Sequence, residues 1–148
     1  MVAKVVARKS SLHGMGLFAA RDLKAGERLI EYKGIRYGKD EFPEMETEGM
    51  TKFLGLSDGS GIDGKGWAAL ANHSCAPNCE LREDDSGRKP RAWLYTLRKV
   101  KQDEELVWDY RLDIRSRKEA YADWACACGA KNCRGTMADH PEGFKRKS

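Results

Sequence analysis

Turn signals recur along this chain and leave room only for short elements between them. Glycine accounts for 15 of the 148 residues, and glycine-containing turns such as HGMG, KAGE and SDGSG separate runs rich in β-branched and aromatic residues. Runs of that kind are typical of β-strands. We predict strands in VAKVVARKS, GLFAARDL, RLIEYKG, CELRE, RAWLYTLRKV and QDEELVWDY, and a hairpin formed by KFLGL and IDG. The sequence therefore predicts a mainly β fold.

The length restricts the chain to one domain with a small appendage. A chain of 148 residues that is 41% hydrophobic can bury a core. We expect a main domain over residues 1–115 and a C-terminal segment over residues 116–148. No apolar run approaches the roughly 18 residues of a membrane span, and MVAKVVARKSS does not resemble a secretory signal. We therefore expect an intracellular chain that has no membrane partner.

The charge pattern favours a basic partner over nucleic acid. The net charge is only +4, and a nucleic-acid-binding domain usually carries a stronger basic stripe, so we expect no direct nucleic-acid contact. Residues 40–48, DEFPEMETE, contain five carboxylates and no cation. This stretch is either a solvated surface, with a short helix over residues 39–50, or a landing surface for a basic polypeptide. A second short helix is predicted in SRKEAYADWA.

Three cysteines near the C-terminus indicate a metal site. Cys126, Cys128 and Cys133 lie in CACGAKNC, and clustered thiols in an intracellular chain favour metal or catalysis over disulfides. Structural Zn²⁺ takes four ligands, with Zn–S distances of about 2.3 Å. The loop NHSCAPNC offers Cys75 and Cys79 as the fourth; Cys75 would pin the C-terminal segment against this loop. Buried free thiols and a redox patch are the alternatives, and we expect Cys79 to be a packed thiol.

Five motifs, in this order, resemble one family. HGMGLFA, GERLIEY, NHSCAPNC, EELVWDY and CACGAKNCRG are similar to the motifs of SET-domain protein lysine methyltransferases that carry a post-SET zinc segment. The resemblance runs from about residue 7 to residue 137, and the short chain resembles compact, free-standing bacterial SET proteins. It implies a fold of small curved β-sheets, in which a C-terminal pseudoknot brings NHSC beside WDY.

The resemblance also implies a reaction. Members of the family transfer a methyl group from S-adenosylmethionine to the side-chain amine of lysine and release S-adenosylhomocysteine. The expected substrate is a basic protein such as a histone; the alternative is a non-catalytic module that binds basic peptides. The location would be cytoplasmic in a bacterium, and otherwise nuclear or chromatin-bound, or in a host after non-classical secretion. The oligomeric state and the number of methyl groups added stay open.

Site residues follow from the resemblance, position by position. Tyr110 resembles the catalytic tyrosine, Tyr32 resembles a second tyrosine that lines the lysine channel, and Trp108 corresponds to the channel aromatic that helps set the number of methyl groups. The cofactor would be bound by Met15, Gly16, Leu17, Asn72, His73 and Met137, with His73 acting largely through its backbone and Met137 packing on the adenine.

The chain departs from the family pattern at three places, of which one is Trp108, where relatives carry tyrosine or phenylalanine. Ala69, Leu70 and Ala71 stand where many relatives carry Arg-Phe-Ile, so an arginine contact to the cofactor or to neighbouring backbone is absent. Thr51 stands where many relatives carry a tyrosine of the lysine channel, which implies a more open wall there.

Overall fold

The chain folds into ten short strands, as the computed structural model shows for residues 3–12, 14–39, 41, 52–110, 130, 131 and 133. The strands are β1 (Val5–Lys9), β2 (Met15–Ala19), β3 (Arg28–Tyr32), β4 (Gly34–Tyr37), β5 (Phe53–Gly55), β6 (Gly61–Gly64), β7 (Asn72–His73), β8 (Cys79–Asp84), β9 (Arg91–Thr96) and β10 (Glu105–Trp108). A 3₁₀ helix covers Trp67–Leu70. The predicted mainly β fold is confirmed, and each predicted strand segment contains at least one strand.

These strands form two sheets. The larger sheet has seven strands, in the order β1-β2-β10-β8-β9-β3 with β7 attached to β10; the smaller has the order β4-β6-β5. The predicted hairpin is the antiparallel pair β5–β6, in which Leu54 lies opposite Ile62. Glycine at position 64 lets β6 pack against Tyr32 of β3, because a Cβ there would lie 2.5 Å from the Tyr32 hydroxyl.

Strand β10 changes partner halfway along its length. Its first half is antiparallel to β2, with Leu106 opposite Leu17. Its second half is parallel to β7, with Val107 opposite Asn72 and Trp108 opposite His73. This switch places the NHSC loop beside the WDY motif, as the resemblance implies.

The side chain of Asn78 fixes this strand to the loop. Its Oδ1 accepts from the Val107 amide at 2.9 Å, and its Nδ2 donates to the Glu105 carbonyl at 2.8 Å. Asn78 is almost fully buried, and therefore does more than form the turn that its Pro-Asn sequence suggests. The side-chain amide of Asn78 thus supplies one acceptor and one donor to the backbone of β10, a task that a neighbouring strand would otherwise perform.

The core lies under the site. Leu17, Ile62, Leu94 and Leu106 are fully buried, and Tyr32 and Trp108 belong to the same apolar cluster. Alternate residues of β9 face this core, as expected of a strand whose other face is toward solvent. The site's aromatic side chains therefore rest on packed apolar groups.

Several predictions fall outside the described residues. They are residues 40 and 42–48 of the acidic stretch, Thr51, the helix in SRKEAYADWA, the domain boundary at residue 115, and Cys126, Cys128 and Met137. Within the part of the chain that the structure describes, no helix is long and apolar enough to cross a membrane.

Candidate active site

Tyr110 is held at both its backbone and its hydroxyl. It lies two residues beyond β10, where its amide donates to Nδ1 of His73 at 3.0 Å. Its hydroxyl donates to the carbonyl oxygen of Ala71 at 2.6 Å. Two hydrogen bonds from opposite ends of the residue, both to the segment around β7, fix the direction of the phenol.

The rings of Tyr32, Trp108 and Tyr110 form a continuous aromatic row. Trp108 lies in the middle, 6.4 Å from the Tyr32 ring in an edge-on arrangement and 4.8 Å from the Tyr110 ring. The Tyr32 hydroxyl donates a very short hydrogen bond to the carbonyl oxygen of Lys52. The structure therefore brings together the three residues that the sequence analysis assigns to catalysis and the lysine channel.

Both phenols stay protonated at neutral pH. Burial raises the pKa of Tyr110 above its ordinary value, and the Glu105 carboxylate adds to the rise. Burial likewise raises the pKa of Tyr32, with smaller contributions from Tyr110 and Asp63. A phenol that keeps its proton donates a hydrogen bond, and it cannot act as a general base near pH 7.

The His73 ring makes structural contacts on both of its nitrogens. Nδ1 accepts from the Tyr110 amide, so the network assigns the ring proton to Nε2, which lies 3.4 Å from Sγ of Cys75. An Asp109 oxygen lies 3.7 Å from Nδ1, beyond hydrogen-bond distance. Through these contacts the ring positions Tyr110; a cofactor would meet the His73 backbone.

A carboxylate joins three segments beside the start of β2, the strand in which Met15 and Gly16 lie. Glu105 accepts from Ser10 Oγ at 2.8 Å on each oxygen and from Asn72 Nδ2 at 2.9 Å. Asn72 Nδ2 also lies 3.5 Å from the Met15 carbonyl. A Cβ at Gly16 would lie 2.5 Å from the Glu105 carboxylate. The group formed by Ser10, Met15, Gly16, Asn72 and Glu105 is called the amide–carboxylate cluster below.

The amide–carboxylate cluster fits the amino-acid end of S-adenosylmethionine in its chemistry. It presents a backbone carbonyl and a carboxylate, which suit an ammonium group, and a side-chain amide, which suits either end of an amino acid. The Met15 side chain is 48% exposed, whereas Leu17 is fully buried in the core. Leu17 could therefore meet a cofactor only through its backbone.

Two of the four predicted zinc ligands can be located. Cys75 is buried beside His73, and Cys133 is partly buried, with its backbone amide donating a hydrogen bond to the Ala130 carbonyl at 3.1 Å. Cys126 and Cys128 lie outside the described residues, and no group of three metal-binding side chains occurs within them. Thiol donors suit Zn²⁺. Cys79, by contrast, is a packed thiol in the core, as predicted.

Sequence reasoning missed four residues of the site. It gave no role to Ser10, Glu105 or the bridging amide of Asn78, and it treated Ala71 only as a departure from the family pattern. Glu105 had a signal, since a carboxylate opening the apolar strand ELVW needs hydrogen-bond partners when it is partly buried. The role of Ala71 had no signal in the sequence, because the group that acts is its backbone carbonyl, which every residue carries.

A family model now identifies the class. The model of the SET domain matches residues 14–111, about two thirds of the chain. The chain therefore belongs to the SET-domain family.

Similar proteins carry consistent names. Histone-lysine N-methyltransferase trr of Drosophila melanogaster is 35% identical over 137 residues, which is 87% of this chain. The H3 lysine-36 specific enzyme of Yarrowia lipolytica is 36% identical over 84% of the chain, and the H3 lysine-4 specific enzyme of Saccharomyces cerevisiae is 31% identical over 90%. The chain spans only 6%, 17% and 13% of the length of these three relatives, respectively.

A solved structure agrees on the fold. KRYPTONITE, crystallised with mCHH DNA, an H3(1-15) peptide and SAH, matches with a TM-score of 0.71 over 90% of this chain and 29% of that one. The sequence identity is 23%, so this likeness shows the SET fold and not a shared ligand.

Proposed function

We propose that this chain transfers a methyl group from S-adenosylmethionine to the side-chain amine of lysine in a basic protein such as a histone. The observation that carries the proposal is the Tyr110 hydroxyl, fixed on the Ala71 carbonyl next to the Trp108 and Tyr32 rings. The names of the relatives, all histone-lysine N-methyltransferases, support the same reaction and substrate class.

The aromatic row would prepare the target amine. A lysine amine has a pKa near 10.4 in water, and a buried, largely apolar site disfavours its charged form. The two phenols keep their protons, so the amine's proton has to leave to water. Tyr110 and Tyr32 then act as fixed polar groups that orient the amine, and such alignment contributes roughly 7–11 kcal/mol in well-positioned reactions.

The cofactor would be held on the other side of Tyr110. We assign this task to the backbone of Met15, Gly16, Leu17 and His73 and to the Asn72 side chain, with Met137 packing on the adenine. When bound, S-adenosylmethionine supplies an electrophilic methyl group on a sulfonium. Within the amide–carboxylate cluster, Glu105 keeps the Asn72 amide in one orientation.

Structural zinc is part of the proposal. The ligands would be Cys75, Cys126, Cys128 and Cys133. His73 supports this assignment, because an Nε2–H group 3.4 Å from Cys75 Sγ is the type of contact that orients and stabilises a metal-binding thiolate. Metal analysis of purified protein is expected to give one Zn²⁺ per chain. A Cys126→Ser, Cys128→Ser variant that retains a full equivalent would overturn the assignment.

The partner and location follow from the reaction. A basic protein substrate fits the five carboxylates of residues 40–48 by charge complementarity. The relatives' histone substrates favour chromatin as the place of action, with no membrane partner and no direct nucleic-acid contact.

The test is methyl transfer from labelled S-adenosylmethionine to core histones and to a total cell extract, read by mass spectrometry. Tyr110→Phe removes the hydroxyl, and Tyr95→Phe, on the outer face of β9, is the matched control. Lysine methylation by wild type and Tyr95→Phe, but not by Tyr110→Phe, is expected. Zinc-loaded wild type that does not bind the cofactor contradicts the proposal. Peptide binding without any transfer favours the non-catalytic module.

A further inference from the structure

Lys52 contacts both Tyr32 and the 3₁₀ helix that precedes Ala71. Its carbonyl oxygen accepts from the Tyr32 hydroxyl and from the Gly64 amide, the latter at 2.9 Å. Its ammonium Nζ donates to the carbonyl oxygen of Ala69 at 3.2 Å, in a partly buried contact across 17 residues of sequence. A single residue therefore links strand β3 to the 3₁₀ helix through its backbone and its side chain.

The far end of this link lies next to the acceptor of the Tyr110 hydroxyl. Ala69 precedes Ala71 by two residues, and the Ala71 amide donates back to the Ala68 carbonyl at 3.2 Å, so the end of the 3₁₀ helix is one hydrogen-bonded unit. Ala71 in turn accepts from the Tyr110 hydroxyl at 2.6 Å. The Lys52 side chain thus connects the residue that accepts from the Tyr32 hydroxyl to Ala69, two residues before the acceptor of the Tyr110 hydroxyl.

The space between these groups is filled. A Cβ on Gly64 would lie 2.5 Å from the Tyr32 hydroxyl and 2.6 Å from the Ala69 Cβ. Tyr32, Gly64 and Ala69 are therefore already close together, with no room for them to approach further. The Lys52 ammonium opposes movement in the other direction, because moving the 3₁₀ helix outward would break its bond to Ala69.

We propose that Lys52 is a positioning residue that fixes the separation of the Tyr32 and Tyr110 hydroxyls and thereby the width of the lysine channel. The inference rests on the proposed function. A methylated amine must rotate within the channel before its lone pair can face the cofactor's methyl group again. Because the width of the channel limits this rotation, Lys52 contributes to the number of methyl groups added. The side chain acts through the Ala69 carbonyl and does not itself meet the reacting atoms.

The test compares three variants. Lys52→Met keeps the length of the side chain and removes its donor, whereas Lys52→Arg restores a cationic donor. Lys65→Met is the control, since the ammonium group of that exposed lysine forms an ion pair with Asp63 at 3.3 Å. Lys52→Met is expected to lower kcat roughly ten-fold, with the KM for cofactor unchanged and a changed ratio of mono-, di- and trimethyl-lysine. Lys52→Arg is expected to recover most of both properties.

A second measurement reads the positions of the phenols without turnover. In protein labelled with ¹³Cζ-tyrosine, Lys52→Met is expected to shift the Tyr110 resonance and Lys65→Met to leave it in place. Wild-type kcat and product ratio in Lys52→Met overturn the inference, as does a loss of activity that Lys52→Arg does not recover in a folded protein. An inactive wild type contradicts the proposed function instead, and the resonance shifts then still decide the role of Lys52.

Discussion

The amide of Tyr110 donates to Nδ1 of His73 at 3.0 Å, so the direction of the phenol depends on a ring nitrogen 37 residues earlier. Asparagine can place an oxygen where Nδ1 lies, whereas glutamine places its polar group nearer to Nε2. We predict that His73→Asn keeps more methyl-transfer activity than His73→Gln, by roughly ten-fold in kcat, because misplacing a reacting group is costly. Equal losses in the two variants would mean that ring packing, and not the Nδ1 acceptor, matters.

Asn78 is expected to carry a large share of local stability. Asn78→Ala leaves the amide of Val107 without its acceptor, and Val107 is buried, so we expect a loss of about 1–3 kcal/mol in the free energy of unfolding. Urea denaturation measures it. Ser86→Ala, at an exposed turn, is the control and should change stability by less than about 0.5 kcal/mol. Similar values for the two variants would refute this role of Asn78.

The carboxylate of Glu105 is expected to control cofactor affinity. Glu105→Gln replaces one carboxylate oxygen by an NH₂ group. This group then faces the hydroxyl of Ser10 or the amide of Asn72, so two hydrogen-bond donors meet without an acceptor. We expect the Kd for S-adenosylmethionine to rise roughly ten-fold, as measured by calorimetry, because the Asn72 amide loses its fixed orientation. Glu104→Gln removes the same charge one residue earlier, at the ion pair with Arg98, and should leave that Kd near the wild-type value.

Alkaline pH is expected to destabilise the fold through three buried groups. Burial raises the pKa of the Cys79 thiol to about 12, and it raises the pKa values of Tyr32 and Tyr110. In the unfolded chain the thiol loses its proton near pH 8.5 and the two phenols lose theirs near pH 10. The folded state then binds more protons than the unfolded state, so the free energy of unfolding falls as pH rises.

Unfolding curves at several pH values above 8 test this prediction. The stabilisation that these three groups contribute is complete below about pH 8.5. It falls first as the thiol of the unfolded chain titrates, and it falls more steeply above about pH 10, where the phenols of the unfolded chain titrate as well. Tyr110→Phe removes one of the three groups and should reduce the slope above pH 10 by up to about 1.4 kcal/mol per pH unit. A slope identical to that of wild type would show that Tyr110 does not contribute.

The strands were predictable from local patterns, because alternation and glycine turns predict β1, β2, β3, β8 and β9. The placement of Tyr110 beside the NHSC loop was predictable only from the resemblance to the SET-domain family, since no local pattern joins the two segments. The hydrogen bonds between segments were not predictable. The link from Lys52 to Ala69 depends on how the 3₁₀ helix packs, and no periodicity reports that.

Glu105 shows the same limit from another side. Its position at the start of an apolar strand indicated that partners were needed, but Ser10 and Asn72 are 95 and 33 residues away in sequence. The local sequence indicates that a partly buried carboxylate needs hydrogen-bond donors. Only the order of strands in the sheet determines which residues supply them.

The change of partner along β10 also has a consequence for the order of events during folding. Contacts of Glu105, at the start of this strand, and of Tyr110, just beyond its end, join residues 33, 37 and 95 apart in sequence. Forming such distant contacts costs a large loss of chain entropy. The hairpins β5–β6 and β8–β9 need only short loops. We therefore expect them to form early and Tyr110 to reach His73 and Ala71 among the last steps, so that a partly folded chain is already compact but still unable to act.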